Sequence, residues 1–522
     1  MRDFQLPGRS PVFATNGMCA TSHPLAAKVA VQMLEAGGNA VDAALAGAVL
    51  LGVCEPQMTG IGGDLFALVS KPGEEPIALN GSGRAAAGTS AQALRDEFGT
   101  MPEHGPHSVT IPAAVDAICR LSEDHGRLGL GDILAPALHY AEAGVPVAPR
   151  VAFDWARVHH LGEAARRQLM PNGAPPEPGS LYRAPGMAEV LRRIAVDGRD
   201  AFYEGEVAED MVGALQALGG PQTLEDFAAA RSEYTTPISA AHEGHDLVEH
   251  PPNGQGAAAL LMLNILQRLD IAGLDPFGAE RAHLEAEAAK LAYDARNRFL
   301  ADADHMTRLD HLLSSETADR LAALIRPDAV LPAGLEPAGA VHKDTVLITV
   351  VDRDRTSVSL IYSIFHSFGS GIATDKFGLL LHNRGAGFTL EDGHANEAGP
   401  GKRPMHTILP ALLRKEGETV MPFGVMGGQY QAAGHARFVT NLLDFGLSPQ
   451  EAIDAPRVFP TGGQLQVERG YPETVRKALA DLGHDVITPD VPVGGAQAIA
   501  IRPDGMLEGA SDPRKDGCAL GY

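Results

Sequence analysis

Apolar residues on both faces of one short strand are the most informative pattern in this chain. The stretch HKDTVLITVVDRDRTSVSLIYS, starting at His342, predicts a strand, a tight polar turn and a second strand. Val346, Ile348 and Val350 point to one side, and Leu347 and Val351 to the other. A strand with that pattern is covered on both faces. It begins abruptly at Thr345, directly after RPDAVLPAGLEPAGAVHKD, a run from Arg326 with prolines and no periodicity that reads as a linker.

Upstream the periodicity is helical. SHPLAAKVAVQMLEAGG predicts a helix with Ser22 as its cap, Pro24 in the first turn and Gly37–Gly38 as its stop. A second helix follows from Asn39, then the loop EPQMTGIGGD and the strand LFALVS. From about Ala113 to Ile325 the pattern is mainly helical, AHLEAEAAKLAYDARNRFLAD being the clearest amphipathic run. Within it HEGHDLVEHPPNGQG reads as a short strand entering a turn. After the linker the texture changes to short strands: TVLITVVD, TSVSLIYSI, GLLLHN, LQVERG and AQAIAIRP. A helix-rich half, then a strand-rich half with doubly covered strands, gives an α+β fold with helices layered over central sheets.

Composition narrows the function. At 522 residues the chain has room for a large enzyme core. Its net charge of -23, spread along the chain without long runs, is wrong for a nucleic-acid partner, which needs a basic face. The four cysteines (Cys19, Cys54, Cys119, Cys518) lie far apart and make neither a disulfide framework nor a zinc site. The spacing of His242, His245 and His250 is not that of a zincin, so no metal and no cofactor is expected. MRDFQLPGRSPVF has no apolar signal core, and VDAALAGAVLLGV from Val41 is too short to span a bilayer. The expectation is a cytoplasmic protein without a membrane partner.

Thr345 raises a chemical question. A hydroxyl is a weak nucleophile unless a base lies within hydrogen-bond reach. An N-terminal threonine carries its own base, an α-amino group with a pKa of about 7.7–8.0. A threonine between a linker and a buried strand becomes such a group if the chain is cut before it. Attack of its hydroxyl on the Asp344 carbonyl, an N-to-O acyl shift and hydrolysis would make that cut.

Other segments follow in a characteristic order: GNAVDAALA from Gly38, MTGIGGD from Met58, AFYEG from Ala201 and TPIS from Thr236. KDTVLITVVD from Lys343, FGSGI from Phe368, GKRPMHTILP from Gly401, GVMGGQYQ from Gly424 and GASDPR from Gly509 complete it. In these motifs, almost end to end, the chain resembles the γ-glutamyltranspeptidases, members of the N-terminal-nucleophile hydrolases. The resemblance implies a four-layer αββα sandwich and a proenzyme that cleaves itself between Asp344 and Thr345. Residues 1–344 would form the large chain and 345–522 the small one, interlocked in one structural domain; pairing of two processed copies stays open. It implies that Thr345 forms an acyl-enzyme resolved by water or an acceptor amine. It places oxyanion-binding N–H groups at Gly427 and Gly428, and a second hydroxyl, threonine in the family, at Ser363.

The chain departs from the family where a glutamyl group is read. The expected asparagine after Ser363 is Phe365, the aspartate before Phe388 is Gly387, and the serine pair after GKRPM is His406–Thr407. The carboxylate-clamping arginine aligns with Ser82, with Arg84 two residues on, on the same face if the segment is a strand. Arg84 and Arg384 can each hold a carboxylate, and His366 and His406 stand near enough in sequence to contact a substrate. Without the aspartate, an α-ammonium has no anionic partner. The expected activity is hydrolysis of a small-molecule amide with another acyl group, oxamate-like or acylase-like. Genuine γ-glutamyl transfer or glutathione hydrolysis is the alternative, and an inactive scaffold relative the alternative of another class.

Overall fold

The computed structural model describes residues 5, 8–332 and 345–522. Asp344, one half of the expected cleavage site, and most of the linker lie outside the described residues.

Two seven-stranded antiparallel sheets form the centre. One runs Cys518–Gly521, Met18–Thr21, Val346–Val351, Ser357–Ser363, Asp64–Ser70, Ile77–Gly81, Glu233–Thr235. The other runs Val12–Ala14, Leu507–Ser511, Gly495–Ile501, Glu418–Met426, Pro410–Lys415, His245–Glu249, Ile238–His242. Each sheet contains strands from both sides of position 345, so neither half of the chain builds a sheet alone.

The strand opening at Thr345 shows why the layers stack. Val346, Ile348 and Val350 pack with helices Pro24–Glu35, Ala40–Cys54, Leu130–Ala143 and Pro185–Asp197. Leu347 turns the other way and joins Phe66, Ile361, Ile408 and Met426 between the sheets. Helix Ala40–Cys54 is buried along its whole length, as an all-apolar helix must be, and is closed at its start by an Asn39–Asp42 capping box. On the far side helices Gly256–Leu266, Ala279–Phe299 and Gln431–Leu443 cover the second sheet through Leu413, Phe423 and Val425. Helix, sheet, sheet, helix is the four-layer αββα sandwich expected from the sequence.

Two local expectations change. The first helix spans Pro24–Glu35, but His23 caps it by accepting from the Leu25 N–H, because Ser22 Oγ is engaged with Glu55 at 2.5 Å. GLLLHN is not a strand: only Leu380 makes an isolated bridge, to Ala373. Its backbone groups are taken by loops, Leu381 N–H by the Ile372 carbonyl, His382 N–H by Gly62 and Asn383 N–H by Ile364. The apolar run therefore fills the space beside the Gly62–Gly63 turn instead of joining a sheet.

Leu412 packs between the two sheets with Leu68, Ala78 and Val248. Leu412→Ala should destabilise the fold by about 2–5 kcal/mol, read as a lowered urea midpoint, with no change in the helices that cover the outer faces.

Candidate active site

Thr345 heads its strand, 1% exposed, and its Oγ1 lies 3.3 Å from Ser363 Oγ on the adjacent strand. The sheet register sets this: Val346 pairs with Tyr362, which brings the residues before and after them side by side. Ser363 Oγ also accepts the Phe365 N–H at 2.9 Å. Phe365 pays for that turn with φ +76°, a left-handed conformation that costs a bulky residue on the order of 1–3 kcal/mol. Asparagine, the residue expected there in the family, tolerates this region.

On the other side of Ser363, in register, stands Asp64. It is the centre of the site and was not among the residues singled out from sequence. Its Oδ1 accepts the Gly83 N–H at 3.1 Å, and its Oδ2 lies 3.0 Å from His406 Nε2 and 3.3 Å from both Arg384 Nε and His382 Nδ1. All four side chains are fully buried. Burial by itself would push the Asp64 carboxyl up, but His382, by charge and hydrogen bond, and the hydrogen bond from His406 hold it well below the ordinary carboxylate range. His406 is lowered to about 3 by burial and then by the neighbouring Arg384 charge, so its ring is neutral. Its tautomer follows from its partners: Nδ1 accepts the Ile408 N–H at 3.3 Å, which leaves the proton on Nε2 to be donated to Asp64. Arg384, lowered to about 10 by burial, remains a cation at neutral pH. Its guanidinium lies 4.0 Å over the Phe365 ring, and Nη1 donates to Thr407 Oγ1 at 3.2 Å.

The sequence-selected residues thus divide. Thr345, Ser363, Phe365, Arg384, His406 and Thr407 are linked by these contacts, and the His366 ring lies 4.3 Å from that of Phe365. Arg84 goes elsewhere. The strand ends at Gly81, and the Arg84 guanidinium reaches Glu233 at 3.1 Å, Asp302 at 3.3 Å and the Gly401 carbonyl at 2.9 Å. There it lines a surface cavity of about 580 Å³ with Arg231, Glu233 and Gly401.

Gly427 and Gly428 form the turn between strand Glu418–Met426 and helix Gln431–Leu443, at φ +117° and +54°, where a side chain would be strained. The preceding Met426 packs on Leu347, two residues beyond Thr345. Gln255, also missed from sequence, anchors this turn: its Nε2 donates to the Gly428 carbonyl at 3.1 Å and to the Thr407 carbonyl at 2.7 Å. Its Oε1 accepts from Arg296 at 2.7 Å, and Arg296 and Tyr293 both also bond Gln429. The visible signal was faint: a charged Asp opening the apolar strand DLFALVS, and a Gln just before an apolar helix.

Gly387 shows what became of the expected aspartate. A Cβ there would lie 2.5 Å from the Met405 carbonyl oxygen, and Asn396 ties the two segments by donating to Gly387 O and accepting from Met405 N–H. The backbone has closed over the space an aspartate side chain would need. Among the described residues one group has metal-ligand composition, His283, Glu287 and His484. Lys290 Nζ, 2.8 Å from Glu287, already supplies the positive charge there.

A doubly covered strand with a hydroxyl at its head, set in an αββα sandwich, defines an N-terminal-nucleophile hydrolase. The gamma-glutamyltranspeptidase family model matches residues 26–522. The chain is 35% identical over 525 residues to the glutathione hydrolase-like YwrD proenzyme of Bacillus subtilis, covering 98% of this chain and 99% of that one. It is 36% identical over 530 residues to the oxamate amidohydrolase proenzyme of Klebsiella pneumoniae, with coverage of 98% and 99%. The crystal structure of cephalosporin acylase from Bacillus halodurans superposes with a TM-score of 0.91 at 36% identity, over 100% of this chain and 99% of that one. The protein belongs to the γ-glutamyltranspeptidase family, as a divergent amidohydrolase member without several glutamyl-binding residues. No helix among the described residues is long and apolar enough to cross a membrane.

Two outcomes test the electrostatics. Asp64→Asn leaves Arg384 buried without its anion and should cost about 3–5 kcal/mol of stability, measured by chemical denaturation. Because the folded pKa of His406 is depressed, the unfolded chain binds a proton that the folded chain refuses between about pH 6.5 and about pH 3. Stability should fall as pH drops through that window, with a contribution from this ring of up to about 1.4 kcal/mol per pH unit. His406→Gln, which can still donate to Asp64, should flatten the stability–pH curve there.

Proposed function

We propose that the protein is a self-processing threonine amidohydrolase that hydrolyses an amide whose acyl group is not glutamyl. The supporting observation is the 3.3 Å approach of Thr345 Oγ1 to Ser363 Oγ at the head of an inner strand. The proenzyme names of the two similar relatives agree with it. Cleavage before Thr345 divides the chain into 1–344 and 345–522, and frees the Thr345 amine as a base.

In turnover the amine takes the proton of Oγ1 as that oxygen attacks the acyl carbon. N–H groups of the Gly427–Gly428 turn hold the oxyanion. The C–N bond breaks, the proton passes to the leaving amine, and an ester remains on Thr345. Water, deprotonated by the same amine, cleaves that ester and returns the hydroxyl. Ser363 keeps Oγ1 oriented, and Gln255 fixes the carbonyl side of the glycine turn.

The acyl group follows from Gly387. A γ-glutamyl donor brings an α-ammonium, and Gly387 offers it no carboxylate where the family has aspartate. The relatives named oxamate amidohydrolase and cephalosporin acylase point to acyl groups without that ammonium. A relative named glutathione hydrolase proenzyme, from Escherichia coli, is 31% identical over 541 residues, so γ-glutamyl substrates belong in the test.

Thr345→Ala should remain one intact chain on a denaturing gel and lack hydrolase activity, while Thr345→Ser keeps a fraction of both. Cleavage between Asp344 and Thr345 in the alanine variant would refute the mechanism. Gly428→Ala, once processed, should lose turnover by on the order of a hundredfold. A γ-glutamyl anilide should be a poor substrate for processed enzyme; a wide margin in its favour over ammonium-free amides would mean an ordinary transpeptidase.

A further inference from the structure

The Arg384 guanidinium is completely buried, yet its Nη2 has no hydrogen-bond acceptor among the described residues. A guanidinium offers five N–H donors in a fixed fork, and in a buried site each needs a partner. Asp64 does not supply it: its Oδ1 meets Gly83, and its Oδ2 faces His406, His382 and the Nε edge of Arg384 and not Nη2. Thr407 Oγ1 takes one of the two Nη1 protons. Nη2 and the second Nη1 proton are the donors left over, and the two terminal nitrogens of a guanidinium are spaced as a carboxylate requires.

The place of that fork is fixed relative to the nucleophile. Its flat face rests on Phe365 at 4.0 Å. Phe365 is held in its left-handed turn by its N–H on Ser363 Oγ, and that oxygen touches Thr345 Oγ1. Two contacts and one turn of backbone thus connect the donor pair to the attacking hydroxyl. Neutral His406 adds no positive charge to the cluster, and Arg384 brings to it a cation with a donor left unmet.

We propose that Arg384 receives a carboxylate on the acyl side of the substrate, which makes the substrate class the monoamides of short dicarboxylic acids. Asp64 is the positioning residue that holds the guanidinium by its Nε edge and leaves the opposite end of the fork open. This rests on the reading of Thr345 as nucleophile. It explains Phe365 in place of the family's asparagine: an aromatic face carries the arginine. It also explains why Gly387 is tolerated, since an acyl group without an ammonium needs no carboxylate there.

Two measurements on the full-length protein test it. Processed wild-type enzyme is assayed with the monoamides of oxalic, malonic, succinic and glutaric acids and with the methyl ester of each. One chain length should exceed its own ester by about a hundredfold in kcat/KM, mainly through KM. In Arg384→Lys that ratio should shrink, and in Asp64→Asn/Arg384→Met, which removes both buried charges together, it should approach one. Ratios near one for every length in wild type would overturn the proposal. Calorimetry then follows binding of oxalate, malonate and succinate, which needs no turnover; wild type should bind one of them and the double variant should not. A chain that fails to cleave but binds a dicarboxylate through Arg384 would remove the nucleophile reading and leave the receptor. An active, processed enzyme that binds none of them removes the receptor and leaves the nucleophile.

Discussion

An ionised carboxylate sealed between two sheets is the constraint around which this site is arranged. Taking Asp64 out of water costs several kcal/mol unless its oxygens are met by donors. The molecule meets them from separate places: the Gly83 backbone, the His382–Arg384 loop and the His406 loop. These segments lie outside the named strands, His406 making only an isolated bridge to Gly254, so the charge does much of what sheet hydrogen bonds do elsewhere. The strand register supplies the rest. Asp64 stands opposite Ser363, and Ser363 beside Thr345, so a slip of one residue in strand Asp64–Ser70 would turn the carboxylate to the helical layer and away from both hydroxyls.

The departures from the family pattern belong together once the loops are seen in three dimensions. Phe365 keeps a left-handed backbone that suits asparagine better than phenylalanine, so the turn has outlived the side chain it favours. Its strain is held by the Ser363 hydrogen bond and by burial under Arg384. Gly387 is no simple truncation. A Cβ added there would lie 2.5 Å from the Met405 carbonyl oxygen, and Asn396 ties the two segments together. Restoring a single aspartate would therefore meet a steric barrier before it met a substrate.

What the sequence made legible follows a physical divide. Strand Val346–Val351 alternates apolar residues to both faces, and such a pattern has one solution, an inner strand of a layered sandwich. Thr345 was legible because it stands between a linker and a strand covered on both faces, whereas Ser363 and the glycine turn were picked out by the resemblance to the family and not by their spacing. GLLLHN was misread because an apolar run reports burial, and burial beside the Gly62–Gly63 turn looks the same as burial in a sheet. Ser22 lost its capping role to His23 through a contact with Glu55, distant by more than thirty residues and invisible locally. Asp64 and Gln255 were missed for a related reason. Each acts on groups more than 150 residues away, His406 in one case and Gly428 in the other. Arg84 was placed by extending a strand that ends at Gly81.

The interleaving of strands bears on how such a chain can survive a cut. Separating two fragments means breaking the strand pairings between them. Here Val346–Val351 is flanked by Met18–Thr21, from the far side of position 345, and by Ser357–Ser363, from its own side. In the second sheet Pro410–Lys415 pairs with His245–Glu249, again across the divide. A break before Thr345 would remove one covalent link and gain chain entropy there, but each half would still have to surrender its share of both sheets and of the cores between them to leave. The same arrangement would keep an amine created there from wandering, because Thr345 stands at the head of a strand that is hydrogen-bonded on both edges. The nucleophile proposed at Thr345, whose base would be its own backbone nitrogen, needs a rigid backbone, and the inner position of this strand provides one.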